Sequence, residues 1–146
     1  MDENRSAEVY IDGASQGNPG PAGIGVVFVD GDGQPLRKFS HYLGETTNNV
    51  AEYLALLYAL QDALRQGYAT LVVKTDSELL ARQIDGRYKV RDATLRLLYD
   101  LARHLIQGFS GCHVQHISRN QNVLADRLAA KAVKAHHAHV TETGMA

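Results

Sequence analysis

The stretch YIDGASQGNPGPAG (residues 10–23) opens as an apolar strand, meets a carboxylate at Asp12, and dissolves into small residues, Gly and Pro. Asp-Gly and Asn-Pro-Gly are ordinary turn chemistry, so taken alone the stretch reads as a surface turn between two strands. Working outward, residues 8–12 read as a strand with Val9 and Ile11 on one face, 13–22 as a loop, and GIGVVFV (23–29) as a second strand. DGDGQP (30–35) is a hairpin turn by its Asp-Gly content, and 36–43 form a third strand. Three strands joined by short loops predict an antiparallel meander.

The period then changes. TTNNVAEYLALLYALQDALRQG (46–67) carries Val50, Leu54, Leu57, Leu60 and Leu64 at helical spacing. Thr47 or Asn48 can cap its start, and Gly67 sits where a C-terminal glycine cap belongs. TLVVKTD (70–76) reads as a buried strand and 77–84 as a short helix. Asp92 can cap a helix to about 107, with Leu95, Leu98, Ala102, Leu105 and Ile106 inward. CHVQHIS (112–118) is a fifth strand. Asn122 can cap a last helix through about 134, with Leu124, Leu128 and Ala132 as its apolar row. The order βββ-α-β-α-α-β-α predicts an α/β fold, a mixed sheet with helices packed on it. The tail KAHHAHVTETGMA (134–146) is small and polar and is expected to fray. The single-domain reading has its core at about 8–134 and a flexible end over 135–146.

The chain has 146 residues, 45% hydrophobic and 21% charged, with a formal net charge of -1. That length can bury a core without disulfides or metal staples. Cys112 is the single cysteine, which excludes a disulfide within the chain and favours a reducing compartment. The N-terminus has no signal-like apolar segment, and no apolar run approaches the length of a membrane span. These features predict a cytoplasmic protein. The charge argues against coating nucleic acid by bulk attraction but leaves a nuclease open, because bound cations restore positive charge where a phosphate sits.

Four carboxylates stand out. Asp12 and Asp76 each end a predicted strand, where open α/β sheets place their ligands. Glu52 lies one turn into the long helix and Asp126 occupies a similar place in the last helix. Each has an ordinary alternative: a turn at Asp12, a helix cap at Asp76, and helix-dipole compensation at Glu52 and Asp126. Brought together, four carboxylates would raise each other's pKa and make sense only with cations among them. Hard oxygen ligands suit Mg²⁺ or Mn²⁺, and a pair of such ions about 4 Å apart is the machinery of in-line phosphoryl transfer.

YIDGASQGNPGPAGIGVVF, TTNNVAE, KTDSELL and HISRNQNVLADRLA resemble, in order, the four motif blocks of ribonuclease H type 1. The resemblance covers about 8–133 and implies the ribonuclease H-like fold, a five-stranded sheet of order 3-2-1-4-5 with its first three strands antiparallel. It implies endonucleolytic hydrolysis of the RNA strand of an RNA–DNA hybrid, leaving 5′-phosphate and 3′-hydroxyl ends. Asp12, Glu52, Asp76 and Asp126 match the family's metal-binding carboxylates, which take two Mg²⁺ ions with substrate bound, Mn²⁺ being a substitute. Asn18, Asn48 and Asn49 match positions that contact the hybrid's minor groove, where an amide can both donate to and accept from a 2′-hydroxyl. Thr47 resembles a residue that helps hold a DNA-strand phosphate. Gly13 and Gly17 would let the backbone approach the RNA strand closely.

The chain departs from the family pattern in places. Glu78 stands where many relatives have a neutral polar residue near the RNA, and it could weaken binding or face solvent. IDGRYKVRDATL (84–95) is brief where well-known members carry a long basic protrusion; only Arg87, Lys89 and Arg91 lie there, with Arg82 before. For the histidine that helps product leave in many members, Arg119 is the candidate here and His116 the alternative, the latter lying inside a strand pattern. Nothing resembling a separate hybrid-binding module precedes Glu8. The expectation is a monomeric, metal-dependent ribonuclease H. The alternatives are a broader nuclease that also cuts double-stranded RNA and a non-catalytic nucleic-acid-binding domain.

Overall fold

The computed structural model describes residues 2–142, with side chains described over 5–139. The chain runs β1 (Asp2–Ser15), β2 (Gly20–Val29), β3 (Pro35–Thr46), α1 (Asn48–Arg65), β4 (Tyr68–Thr75), α2 (Glu78–Ile84), α3 (Ala93–Ile106) and β5 (Gly111–His116). A 3₁₀ turn (Arg119–Gln121) then leads into α4 (Val123–Glu142). The five strands form one sheet of order β3-β2-β1-β4-β5. β1–β2 and β2–β3 pair antiparallel, and β1–β4 and β4–β5 pair parallel.

β2 explains how the layers form. Its residues are almost all buried, and alternate side chains serve opposite faces. Ile24, Val26 and Phe28 join Val9, Ile11, Leu71 and Val73 under α1, α2 and α3. Val27 and Val29 meet Ala125 and Leu128 of α4 on the other face. The first core is the larger, and α1 enters it through Ala51, Ala55, Ala59 and Ala63 with Tyr53, Leu56 and Leu60. Its stripe is therefore rotated from the predicted one. Val50, Leu54, Leu57 and Leu64 pack only partly buried at its margin, because alanines let the helix lie closer to the sheet.

Several boundaries differ from the sequence reading. β1 begins at Asp2 and continues through Ser15, beyond the 8–12 expected, because its polar ends are still paired. Asp12 is thus inside β1. It lies just past Ile11–Thr75, the last rung shared with β4. α4 likewise continues to Glu142, so the frayed end expected from 135 onward is helical as far as the described residues go; 143–146 lie outside them. His136 stacks on Tyr42 of β3 with ring centroids 3.7 Å apart, which fastens this part of α4 to the sheet. Leu124, assigned to the apolar row of α4, is 36% exposed, and Ala125, Ala129 and Val133 are buried beside Leu128 and Ala132 in its place.

Candidate active site

Parallel pairing of β1 with β4 puts Asp12 and Asp76 side by side near the ends of two neighbouring inner strands. Asp76 is spared the capping role open to it, because Ser77 caps α2 by accepting from the Leu80 N–H at 3.1 Å. The Thr75 hydroxyl in turn accepts from the Ser77 N–H at 3.1 Å, holding the bend on which Asp76 sits.

Glu52 arrives from α1. A side chain at Gly13 would lie 2.2 Å from the Ala51 carbonyl, so only glycine lets β1 and α1 approach this closely. The contact also leaves the Gly13 N–H free to donate to Glu52 Oε1 at 2.7 Å. Gly13, expected to make room for a nucleic acid strand, thus has a packing duty first. Asp126 arrives from the opposite face of the sheet. Gly25 is the antiparallel partner of Asp12, and a side chain there would lie 2.1 Å from the Ala125 carbonyl. Asp126, the next residue on α4, is delivered against Asp12 by that contact.

Carboxylate oxygens of Asp12, Glu52 and Asp76 all lie within 4.8 Å of one another. Asp126 joins them in a cleft of about 330 Å³, also lined by Gly13, Ala14, Asn48, Ser77 and Arg119. Asp12 and Glu52 are only 4% and 5% exposed. Burial drives the Asp12 carboxyl well above the usual range, and Glu52, Asp76 and a hydrogen bond with Asp126 push it further. Burial also raises Glu52, opposed by the Gly13 N–H and reinforced by Asp76 and Asp126. Protein groups alone leave this cluster electrostatically unbalanced, and all its donors are hard oxygens of the kind that suit Mg²⁺ or Mn²⁺.

The rim is knitted by the predicted asparagines. Asn18 Oδ1 accepts from the Asn48 N–H at 3.0 Å, and Asn48 Oδ1 accepts from the Ser15 N–H at 3.3 Å. Thr47 caps α1 by accepting from the Val50 N–H at 3.2 Å. Gly17 adopts φ +97°, which favours glycine, and Asn49 is exposed in the first turn of α1.

A family described as reverse transcriptase-like matches residues 10–132. Ribonuclease HI of Halobacterium salinarum is 39% identical over 132 residues, spanning 90% of this chain and 66% of the relative. The crystal structure of the RNase H1 from that archaeon superposes with a TM-score of 0.86, covering 89% of this chain and 98% of that one. The chain belongs to the ribonuclease H type 1 family. A second RNase H1 structure, LC11-RNase H1 in complex with RNA/DNA hybrid, is 42% identical with a TM-score of 0.84, covering 88% of this chain and 97% of that one. A bifunctional protein of Mycobacterium tuberculosis is 41% identical over 128 residues, or 87% of this chain, which spans only 35% of that relative's length.

Within this ribonuclease H fold the departures fall into place. The connection between α2 and α3 is confined to residues 85–92, so no protrusion stands there. Its start and end are tied down: Gln83 donates to the Lys89 carbonyl at 3.1 Å, and Asp92 caps α3 by accepting from the Leu95 N–H at 2.9 Å. Glu78 pairs with Arg82 at 3.5 Å across one helical turn and does not line the cleft. Of the two candidates near the last block, Arg119 lines the cleft, while His116 ends β5 exposed and does not line it.

One residue behind the site was misread from sequence. Asn122 was expected to cap α4, but its side-chain amide donates to the Ile11 carbonyl at 2.8 Å. At 1% exposure it ties the start of α4 to the strand position before Asp12. An asparagine ahead of a helix has the same appearance in sequence for either task.

Proposed function

We propose that this chain is an endoribonuclease that hydrolyses the RNA strand of RNA–DNA hybrids, leaving 5′-phosphate and 3′-hydroxyl ends. The observation that carries the reading is the convergence of buried Asp12 and Glu52 and half-buried Asp76 on one point, with Asp126 beside them. Asp12, Glu52, Asp76 and Asp126 would hold two Mg²⁺ ions, or Mn²⁺ as substitute. When bound, such ions supply an activated water and neutralise charge at the scissile phosphate.

The chain's own residues do the rest. Asp12 is held inside β1 and Glu52 by the Gly13 N–H, so two ligands sit on rigid elements rather than on loops. Arg119 brings a cation to the rim, where it meets the phosphate charge and aids release of product. Asn18 and Asn48 spend their carbonyl oxygens on the backbone, which turns their NH₂ groups into donors for the minor groove. Asn49 adds a further amide, Thr47 reaches a DNA-strand phosphate, and Gly13 and Gly17 keep the backbone low beneath the RNA. The protein acts as a monomer in the cytoplasm, where the half-buried Cys112 thiol, pushed up to about 11 by partial burial, stays inert.

The test is cleavage of one labelled RNA strand, paired with DNA or with RNA, with Mg²⁺ or with chelator. Cleavage of the hybrid alone, abolished by chelator, is the expected result. Equal rates on both duplexes would replace hybrid specificity with a broader nuclease, and metal-independent cleavage would sink the site assignment.

A further inference from the structure

α4 carries a charged face that the cleft does not use. Over residues 127–139 it presents Arg127, Lys131 and Lys134, three histidines, and no carboxylate. The three cations are spaced four and three residues apart, so they share one side of the helix, and all are exposed. Among the described residues none of them has a carboxylate within ion-pair distance, whereas Arg82, Arg87 and Arg96 elsewhere on the surface each have one. With Gln16, Ala130 and His137 these cations line a shallow trough.

The trough lies next to the cleft along the chain on two sides. Arg127 follows Asp126 directly, and Gln16 opens the loop whose Asn18 bonds Asn48 on the cleft wall. The display is also fixed in place, because α4 is pressed onto Gly23 and Gly25 of β2 and pinned by the His136–Tyr42 stack. From Arg127 to His137 the helix rises about 15 Å, which spans about four successive phosphates at 3.4 Å each.

We propose that Arg127, Lys131 and Lys134 form a second nucleic-acid contact surface, holding the phosphate backbone of the substrate duplex where it leaves the cleft. The inference rests on the ribonuclease reading and adds to it a source of grip other than the short 85–92 connection. It assigns the trough to a polyanionic backbone, because unpaired cations in a row with no aromatic platform suit phosphate rather than bases.

The experiment compares wild type, Lys131→Ala/Lys134→Ala and Lys131→Arg/Lys134→Arg on two hybrids. One only fills the cleft; the other is longer by about 10 base pairs, twice the reach of the trough. Cleavage kinetics and fluorescence anisotropy in chelator are both followed through a salt series. The alanine pair should raise KM and Kd for the long hybrid about tenfold and reduce its log–log salt slope by about 2. Its kcat and its behaviour on the short hybrid should be unchanged, and the arginine pair should match wild type. Equal losses on both lengths, or an unchanged salt slope, would overturn the proposal. Wild type that cleaves neither hybrid would overturn the nuclease reading instead, while anisotropy would still decide the trough.

Discussion

The two helices that bring carboxylates to the cleft reach it by opposite means. α1 lies over the larger core, and Glu52 is delivered with a buried stripe behind it and the Gly13 N–H in front. α4 lies over a small core on the other face, and Asp126 is delivered by backbone contact with β2 at Gly25. Glu52 is therefore buried and bonded, while Asp126 remains half-buried. The difference teaches that the four carboxylates are not equivalent. Asp12, Glu52 and Asp76 make a tight triplet, and Asp126 acts on it from the side.

Cleavage kinetics test this asymmetry most strongly. Asp12→Asn or Glu52→Gln should lower kcat on the hybrid about 10³-fold, which is several kcal/mol at about 1.4 kcal/mol per decade. Asp126→Asn should cost about 10- to 100-fold, a smaller loss because it leaves the triplet whole. Equal losses at all three would break the distinction.

The two glycines offer a second handle. Gly13→Ala and Gly25→Ala each force backbone apart and should destabilise by about 2–3 kcal/mol, lowering Tm by about 5–10 °C. Gly13→Ala should also suppress cleavage about as far as Glu52→Gln, since it displaces the acceptor. Thermal melts and hybrid cleavage on the same preparations check both, and a Gly13→Ala protein with normal activity would detach Glu52 from that contact.

The smallest effect is on stability without metal. A carboxyl with a raised folded pKa keeps a proton that the unfolded chain has released. Metal-free stability should therefore fall as pH rises from about 4 through the raised range of Asp12 and Glu52. In chelator, Asp12→Asn should melt about 3–5 °C above wild type near pH 8, with a flatter decline between about pH 6 and 9. Mg²⁺ should reverse the order, because wild type gains more from the ion. A variant that is no more stable in chelator would mean that the repulsion is relieved by means other than the cation.

The site was more legible in sequence than the edges of the fold. Carboxylates at fixed places in a strand–helix order survive small errors in where elements begin, so Asp12, Glu52, Asp76 and Asp126 could be singled out together, and the fold brings them to one cleft although the end of β1 was misplaced. Polar strand ends such as residues 2–7 give no period to follow, and their structure comes from pairing with β4. Residues 135–142 lack an apolar row, but their alanines favour helix, and the stack on Tyr42 holds them in a way no local pattern announces. Asn122 and Gly13 were read as cap and clearance because their tethers run to Ile11 and Ala51, remote in the chain.

The short connection at 85–92 carries a consequence for how such a chain changes over time. Its flanks are clamped by Gln83, by Asp92, and by Arg103, which donates to the Ile84 carbonyl at 3.2 Å. It is therefore a socket whose occupant can be exchanged while the sheet and its carboxylates stay put. Lengthening it costs the fold only about 0.6 kcal/mol per doubling. Chain can thus be gained or shed there by insertion without moving the carboxylate cleft.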